Sequence, residues 1–200
     1  MVSVQREVYQ ELSSKVFGNV LDAGCGTGRI MAYLQDNPHL KRYVGIDASH
    51  DMIKHAAWLK DQLAFEQATL ELTRIEQAKG HFDCIVSIHS YYSWTDAASV
   101  LKHLRQLLSD RGKFLLVTPN DGFNAERLTH LVKQELLGHP YYEDFLATNQ
   151  AIASTAKAKN LYVSTDELIS RVRESGFKVN AAHSNFFLGG ASYLELSKAL

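Results

Sequence analysis

Apolar and polar positions follow different rhythms along the chain, and the changes of rhythm divide it into elements. Val4, Val8, Leu12 and Val16 recur every fourth residue. That is one stripe of an amphipathic helix over residues 2–17, ended by Gly18-Asn19. The apolar run at Val20-Leu21 reads as a first strand. Residues 30–34 read as a helix that Asn37-Pro38 stops. Residues 43–47 form a second strand ending in an acid. Ser49 then caps a helix running from His50 through Met52, Ile53, Ala56 and Leu59. A third strand is expected at residues 63–68, a fourth at 83–89 and a fifth at 113–118. Asp110-Arg111-Gly112 is read as the turn before the fifth strand, and Pro119 as its end. Thr95 or Asp96 caps the helix between the fourth and fifth strands. Its buried face carries Val100, Leu101, Leu104, Leu107 and Leu108. Ser164-Thr165-Asp166-Glu167 is a capping box, and the helix it starts ends at Gly176. Residues 177–187 and 192–200 are the final strands.

Strands alternating with helices predict an α/β fold: an open, doubly wound, mostly parallel seven-stranded sheet with helices on both faces. Residues 120–161 break the alternation and are too long for an ordinary connection. They are expected to be a helical lid inserted after the fifth strand, within a single domain of residues 1–200. One helix is expected around Leu128, Leu131 and Val132, and a second over residues 141–155. Little chain precedes the first strand, so cover for a bound ligand is expected mainly from elsewhere.

Composition narrows the function. The chain has 200 residues, 46% hydrophobic and 22% charged, with a formal net charge of -1. That balance and the absence of a basic cluster argue against nucleic acid as a partner. Cys25 and Cys84 are the only cysteines. They have no metal-type spacing with the histidines, so neither a metal nor a disulfide framework is expected. No apolar run reaches membrane-spanning length. The reading is a cytoplasmic monomer or homodimer with a small-molecule substrate and no membrane partner.

The chemistry begins at Asp22-Ala23-Gly24-Cys25-Gly26-Thr27-Gly28, directly after the first strand. Glycine lets a backbone turn sharply and approach a ligand closely, and the following helix points free N–H groups into the same space. Asp47 lies nineteen residues beyond Gly28, at the end of the second strand. It is placed to accept hydrogen bonds from two ribose hydroxyls. Loop and acid together mean an adenosine-type ligand. A dinucleotide loop needs Gly or Ala at the position held by Arg29, whose long side chain would obstruct helix and sheet.

Acid-x-Gly-x-Gly-x-Gly resembles the class I S-adenosylmethionine-dependent methyltransferases. Gly45-Ile46-Asp47-Ala48-Ser49 followed by Met52, and Phe82-Asp83-Cys84-Ile85-Val86-Ser87, resemble further motifs of that superfamily in the same order. The likeness covers residues 20–118. It implies the Rossmann-like methyltransferase fold and S-adenosyl-L-methionine as cofactor. By position it implies Gly24, Cys25 and Gly26 against the methionine end, Asp22 toward the amino group, Asp47 on the ribose, and Ala48 and Met52 beside the adenine. Thr69, Leu70 and Ile88 complete the implied set. Members often carry an acid after the third strand for the adenine amino group. Gln67-Ala68-Thr69-Leu70 stands there in this reading, so Thr69 or a backbone carbonyl is expected to substitute.

The acceptor should sit beyond the fourth strand, at His89-Ser90-Tyr91-Tyr92-Ser93-Trp94. His89 is the expected base and Tyr92 a second catalytic group. Tyr91 and Trp94 are expected to bind substrate, with Tyr141, Tyr142 and Glu143 of the lid offering aromatic faces and an acid to a cationic amine. His139 and His183 are read as structural. No proline-rich base-methylation motif follows the fourth strand, and neither cysteine adjoins a proline. The expected function is methyl transfer to a small molecule, with nitrogen favoured by a faint similarity to histamine-type N-methyltransferases. The alternatives are a protein or RNA methyltransferase working with a partner, and a non-catalytic cofactor-binding module.

Overall fold

The structure is a computed structural model that describes residues 2–140, 142, 143, 146, 147, 150, 154 and 161–199. In chain order the elements are α1 (Ser3–Ser13), β1 (Gly18–Ala23), α2 (Met31–Leu34), β2 (Leu40–Asp47), α3 (His50–Gln62), β3 (Ala68–Leu72) and β4 (Phe82–Ile88). They continue with α4 (Ala97–Leu107), β5 (Leu108–Pro119), α5 (Ala125–Leu136), α6 (Thr165–Glu174), β6 (Phe177–Phe186) and β7 (Ala191–Lys198). The seven strands form one sheet in the order β3-β2-β1-β4-β5-β7-β6. It is mixed: β7 runs antiparallel to both β5 and β6, and the other pairings are parallel.

Period-two alternation explains the two cores. Leu21, Ile85, Phe114 and Leu116 face α4 and α6, where Leu101, Leu104, Leu168 and Val172 meet them. Val20, Tyr43, Cys84, Val86 and Leu115 face α1, α2 and α3, where Val8, Leu12, Leu34 and Ala56 meet them. Polar caps start the helices at defined points. Ser49 accepts from Met52 N at 3.4 Å, Asp96 from Ser99 N at 3.0 Å, Asn124 from Arg127 N at 2.9 Å and Ser164 from Glu167 N at 3.1 Å.

Three expectations are corrected. The third strand is Ala68–Leu72, paired from Tyr43↔Ala68 to Asp47↔Leu72. The apolar residues before it plug the corner between α3 and β3. Leu63 caps α3, Ala64 turns at φ 48, and Phe65 is buried against Tyr43. Asp110-Arg111-Gly112 does not precede β5 but lies inside it. The register jumps from Phe82↔Leu108 to Cys84↔Lys113, and residues 109–112 take up the excess length. The helix expected at residues 30–34 is present as a single turn, Met31–Leu34. The capping box at Ser164 is half formed, because the Glu167 carboxylate pairs with Arg171.

Of the 120–161 insertion, α5 is described, whereas most of the second helix expected at 141–155 falls outside the described residues. Leu128 and Val132 of α5 pack on Val2 and Val4, with Phe123, Tyr142 and Phe187 at the margin. The Glu135 carboxylate accepts from Ser3 N at 2.7 Å. The first helix and α5 are therefore fastened together.

Candidate active site

The strand order reverses between β1 and β4, and a ligand cleft belongs at such a point. Gly24, Gly26 and Gly28 follow β1 with φ of +78, +55 and +71, a region that costs any L side chain strain. A Cβ on Gly24 would stand 2.6 Å from the Ser90 Cβ, whereas one on Gly26 would meet no atom within 4 Å. The loop is thus closed against β4 at Gly24 and open at Gly26. Ser90 is itself fixed. Its hydroxyl donates to the Ala23 carbonyl at 3.1 Å and lies 2.6 Å from the Ser87 hydroxyl.

Asp47 is held by two backbone amides, Gly26 N on Oδ2 at 3.0 Å and Ser49 N on Oδ1 at 2.8 Å. A carboxylate offers roughly four acceptor positions, so capacity for a diol remains. Asp22 is buried, and its Oδ2 accepts from the Tyr43 hydroxyl at 2.6 Å. Burial, reinforced by Asp47, pushes its pKa up to about 7 against the opposing Tyr43 bond. Burial also raises the Cys25 thiol, leaving it an unreactive neighbour of the loop.

A cleft of about 170 Å³ is lined by Gly24, Asp47, Ala48, Ser90 and Trp94, together with Arg74, Ile75 and Glu76. The last three were missed by sequence reasoning. They follow β3 directly, and the misplaced strand boundary had put Thr69 and Leu70 in their role. Thr69 and Leu70 lie within β3 beside Val44 and Gly45, below the sheet's carboxyl edge. Met52 is exposed on the first turn of α3, and Ile88 is partly buried at the end of β4. The open space at Gly26, an oriented carboxylate and a buried acid suit a ribose and an ammonium group, the recognition elements of S-adenosylmethionine.

His89 turns at φ 57, and its N–H donates to the Val117 carbonyl at 2.8 Å. Its ring meets Phe187 edge to face at 4.8 Å. Nδ1 is buried without a hydrogen-bond partner, as is Oγ1 of neighbouring Thr118. Burial lowers the His89 pKa to about 4, so the imidazole is neutral at physiological pH. Tyr92 meets Tyr162 at 5.7 Å, and Tyr162 meets Phe123 at 5.8 Å, which gives an aromatic wall. Tyr91 lies elsewhere: it packs in the core against Trp94, and its hydroxyl accepts from Arg171 at 3.3 Å. Trp94 lines the cofactor cleft rather than this wall. Tyr142 packs beside α5, Glu143 is exposed, and Tyr141 is outside the described residues. His183 stacks on Tyr193 at 4.7 Å, within the core cluster that α1 covers. Thr118, Tyr162 and Phe187 gave no local signal in the sequence. Among the described residues no His/Cys/Asp/Glu group could hold a metal ion, and no helix is long and apolar enough to cross a membrane.

The family model described as a methyltransferase domain matches residues 4–182, and the chain belongs to that family. It is 24% identical over 168 residues to the uncharacterized methyltransferase YcgJ of Bacillus subtilis, covering 76% of this chain and 64% of that one. It is 28% identical over 138 residues to trans-aconitate 2-methyltransferase of Escherichia coli, covering 69% and 52%. The chain thus spans about half to two thirds of the length of these curated relatives. A SAM-dependent methyltransferase from Aquifex aeolicus has the same fold, with a TM-score of 0.68 at 12% identity over 98% of this chain and 89% of that one. The chain is therefore a methyltransferase domain, and it shares the fold of S-adenosylmethionine-dependent methyltransferases.

Proposed function

We propose that this domain uses S-adenosylmethionine as its cofactor and transfers the methyl group to a small molecule, with nitrogen preferred over oxygen as the receiving atom. The observation that carries the proposal is the pair of orphaned buried atoms, His89 Nδ1 and Thr118 Oγ1, at adjoining strand ends. An unpaired buried polar atom costs about 1–3 kcal/mol, and a polar group of the acceptor that reached either atom would relieve that cost. The wall of Tyr92, Tyr162 and Phe123 is built of aromatic rings meeting edge to face. It suits a cationic or neutral amine, held by ring faces and edges, better than a carboxylate. Trans-aconitate 2-methyltransferase, a relative named for a small acid, supports a small acceptor in general.

The cofactor, when bound, supplies an activated methyl on a sulfonium. The chain's task is then orientation, exclusion of water and acceptance of a hydrogen bond. Gly24, Cys25 and Gly26 hold the amino-acid end, and Asp22 faces the ammonium. Asp47 takes the ribose, with Ala48, Met52 and Glu76 around the adenine. Neutral His89 receives a hydrogen bond from the acceptor and turns its lone pair toward the methyl group. With a pKa of about 4 it is a weak base and acts chiefly by orientation. Residues 120–161 serve as the lid.

The test is transfer of labelled methyl to a panel of amines, phenols and carboxylates. Transfer to carboxylates alone would refute the nitrogen preference. Once an acceptor is known, His89→Gln and Thr118→Val should lower turnover with that acceptor and leave S-adenosylhomocysteine affinity unchanged. Unchanged turnover in both would remove them from the acceptor site.

A further inference from the structure

Tyr43 and Asp22 form a buried pair that the roles assigned so far do not use in full. They come from adjacent strands on the sheet face that α1, α2 and α3 cover. Tyr43 is fully buried and Asp22 is 3% exposed. A buried carboxylate needs a cation or strong hydrogen bonds to remain charged. Among the described residues no lysine, arginine or histidine forms an ion pair with Asp22. Its hydrogen-bond donor is the Tyr43 hydroxyl, at 2.6 Å. That distance falls within the short range of O–H to carboxylate bonds.

The groups around the pair are mostly acids. Asp47 acts on Asp22 from the end of β2 and Cys25 lies beside both from the loop. Tyr9 reaches the pair from α1, where it stacks on Tyr33 of α2. Arg29 acts on Tyr9, and its guanidinium lies 3.4 Å from Gln5 Oε1 of α1. Apart from Arg29, every one of these groups is neutral or negative, so an anion at Asp22 is opposed by its surroundings. The hydroxyl of Tyr43 works the other way.

We propose that Tyr43 is a positioning residue that keeps Asp22 an anion, and that capture of the cofactor's ammonium end depends on this hydroxyl. The proposal rests on the reading of Asp22 as the ammonium's partner. It goes beyond that reading by naming the group that makes a buried acid usable at neutral pH. The cofactor's cation is then the charge partner that the apoprotein lacks. Binding it draws Asp22 fully into the ionised form, so affinity must rise with pH through the titration of Asp22.

The experiment is calorimetry on the full chain from about pH 6 to about pH 8.5, on either side of the Asp22 pKa of about 7. The ligands are S-adenosylhomocysteine and methylthioadenosine, which lacks the amino-acid end. Tyr43→Phe keeps the ring and removes only the hydroxyl. It should weaken S-adenosylhomocysteine roughly tenfold near neutral pH. It should also move the rise in affinity to higher pH and leave methylthioadenosine unaffected. Asp22→Asn should remove the pH dependence. If Tyr43→Phe weakens both ligands equally, or leaves the pH profile in place while Asp22→Asn abolishes it, the hydroxyl is merely structural and the proposal is overturned. If Asp22→Asn itself leaves S-adenosylhomocysteine binding intact at every pH, the reading of Asp22 is what fails, and the proposal fails with it.

Discussion

Gly24→Ala probes the closed end of the glycine loop, and the structure sets its cost. The new Cβ would lie 2.6 Å from the Ser90 Cβ and 2.9 Å from its Oγ. Ser90 cannot swing away freely, because its hydroxyl is engaged by the Ala23 carbonyl and by Ser87. Displacing it forfeits two hydrogen bonds, about 0.5–1.5 kcal/mol each. Holding alanine at φ +78 adds about 1–2 kcal/mol. The sum is about 2–5 kcal/mol of stability, read by urea denaturation with far-UV dichroism. Gly26→Ala is the internal control. Its φ is +55 and its Cβ meets nothing within 4 Å, so only the backbone strain of about 1–2 kcal/mol applies. If the cofactor occupies that open space, Gly26→Ala should still damage S-adenosylhomocysteine binding by calorimetry. Adding Ser90→Gly to Gly24→Ala removes the colliding carbon. The pair should therefore be less destabilised than the sum of the single changes by about 1 kcal/mol or more. Simple additivity would refute the steric argument, as would a Gly24→Ala protein of wild-type stability.

Asp47→Ala removes the acceptor for Gly26 N and Ser49 N as well as the ribose contact. Each bond to a charged group contributes about 1.5–3 kcal/mol, so S-adenosylhomocysteine affinity should fall about a hundredfold or more; an unchanged dissociation constant in calorimetry would sink the ribose assignment. Glu76→Gln should weaken methylthioadenosine and S-adenosylhomocysteine alike by a few-fold, on the order of 1 kcal/mol, because the adenine end is common to both; loss confined to S-adenosylhomocysteine would move Glu76 away from the base. His89 is depressed to about 4 from an unfolded value near 6.5. The unfolded chain therefore takes up the proton first, and stability is full above about pH 6.5 and declines as pH falls toward 4. His89→Gln should flatten that part of the stability profile in urea titrations, and an unaltered profile would show that the imidazole is not sealed in the folded state.

What the sequence made legible follows the range of the interactions involved. Gly24, Gly26 and Gly28 announce themselves because positive φ is a local demand that few residues meet. Asp47 is legible because a strand end places it at a fixed step from that loop. Caps at Ser49, Asp96 and Ser164 are local in the same sense. The third strand was misjudged where tertiary packing overrides local pattern. Leu63 and Phe65 look like strand residues, but their burial closes a corner against Tyr43, and the true β3 has an exposed, polar face at the sheet edge. That displacement of a few residues hid Arg74, Ile75 and Glu76, which line the cleft beside Asp47. The acceptor side is harder for a different reason. His89 was visible as a histidine after a strand, but its orphaned nitrogen exists only because Val117 fixes its backbone and Phe187 covers its ring. Thr118, Tyr162 and Phe187 come from three separate parts of the chain, and none carries a local mark of function. A cofactor common to many enzymes can be held by short-range geometry written in one loop and one strand end. An acceptor particular to one enzyme has to be recognised by a surface assembled across the fold; in the proposed site that surface comes from β4, β5 and the segments around Tyr162 and Phe187. The donor is therefore read from one loop and one strand end, and the acceptor from the packing of the whole upper edge of the sheet.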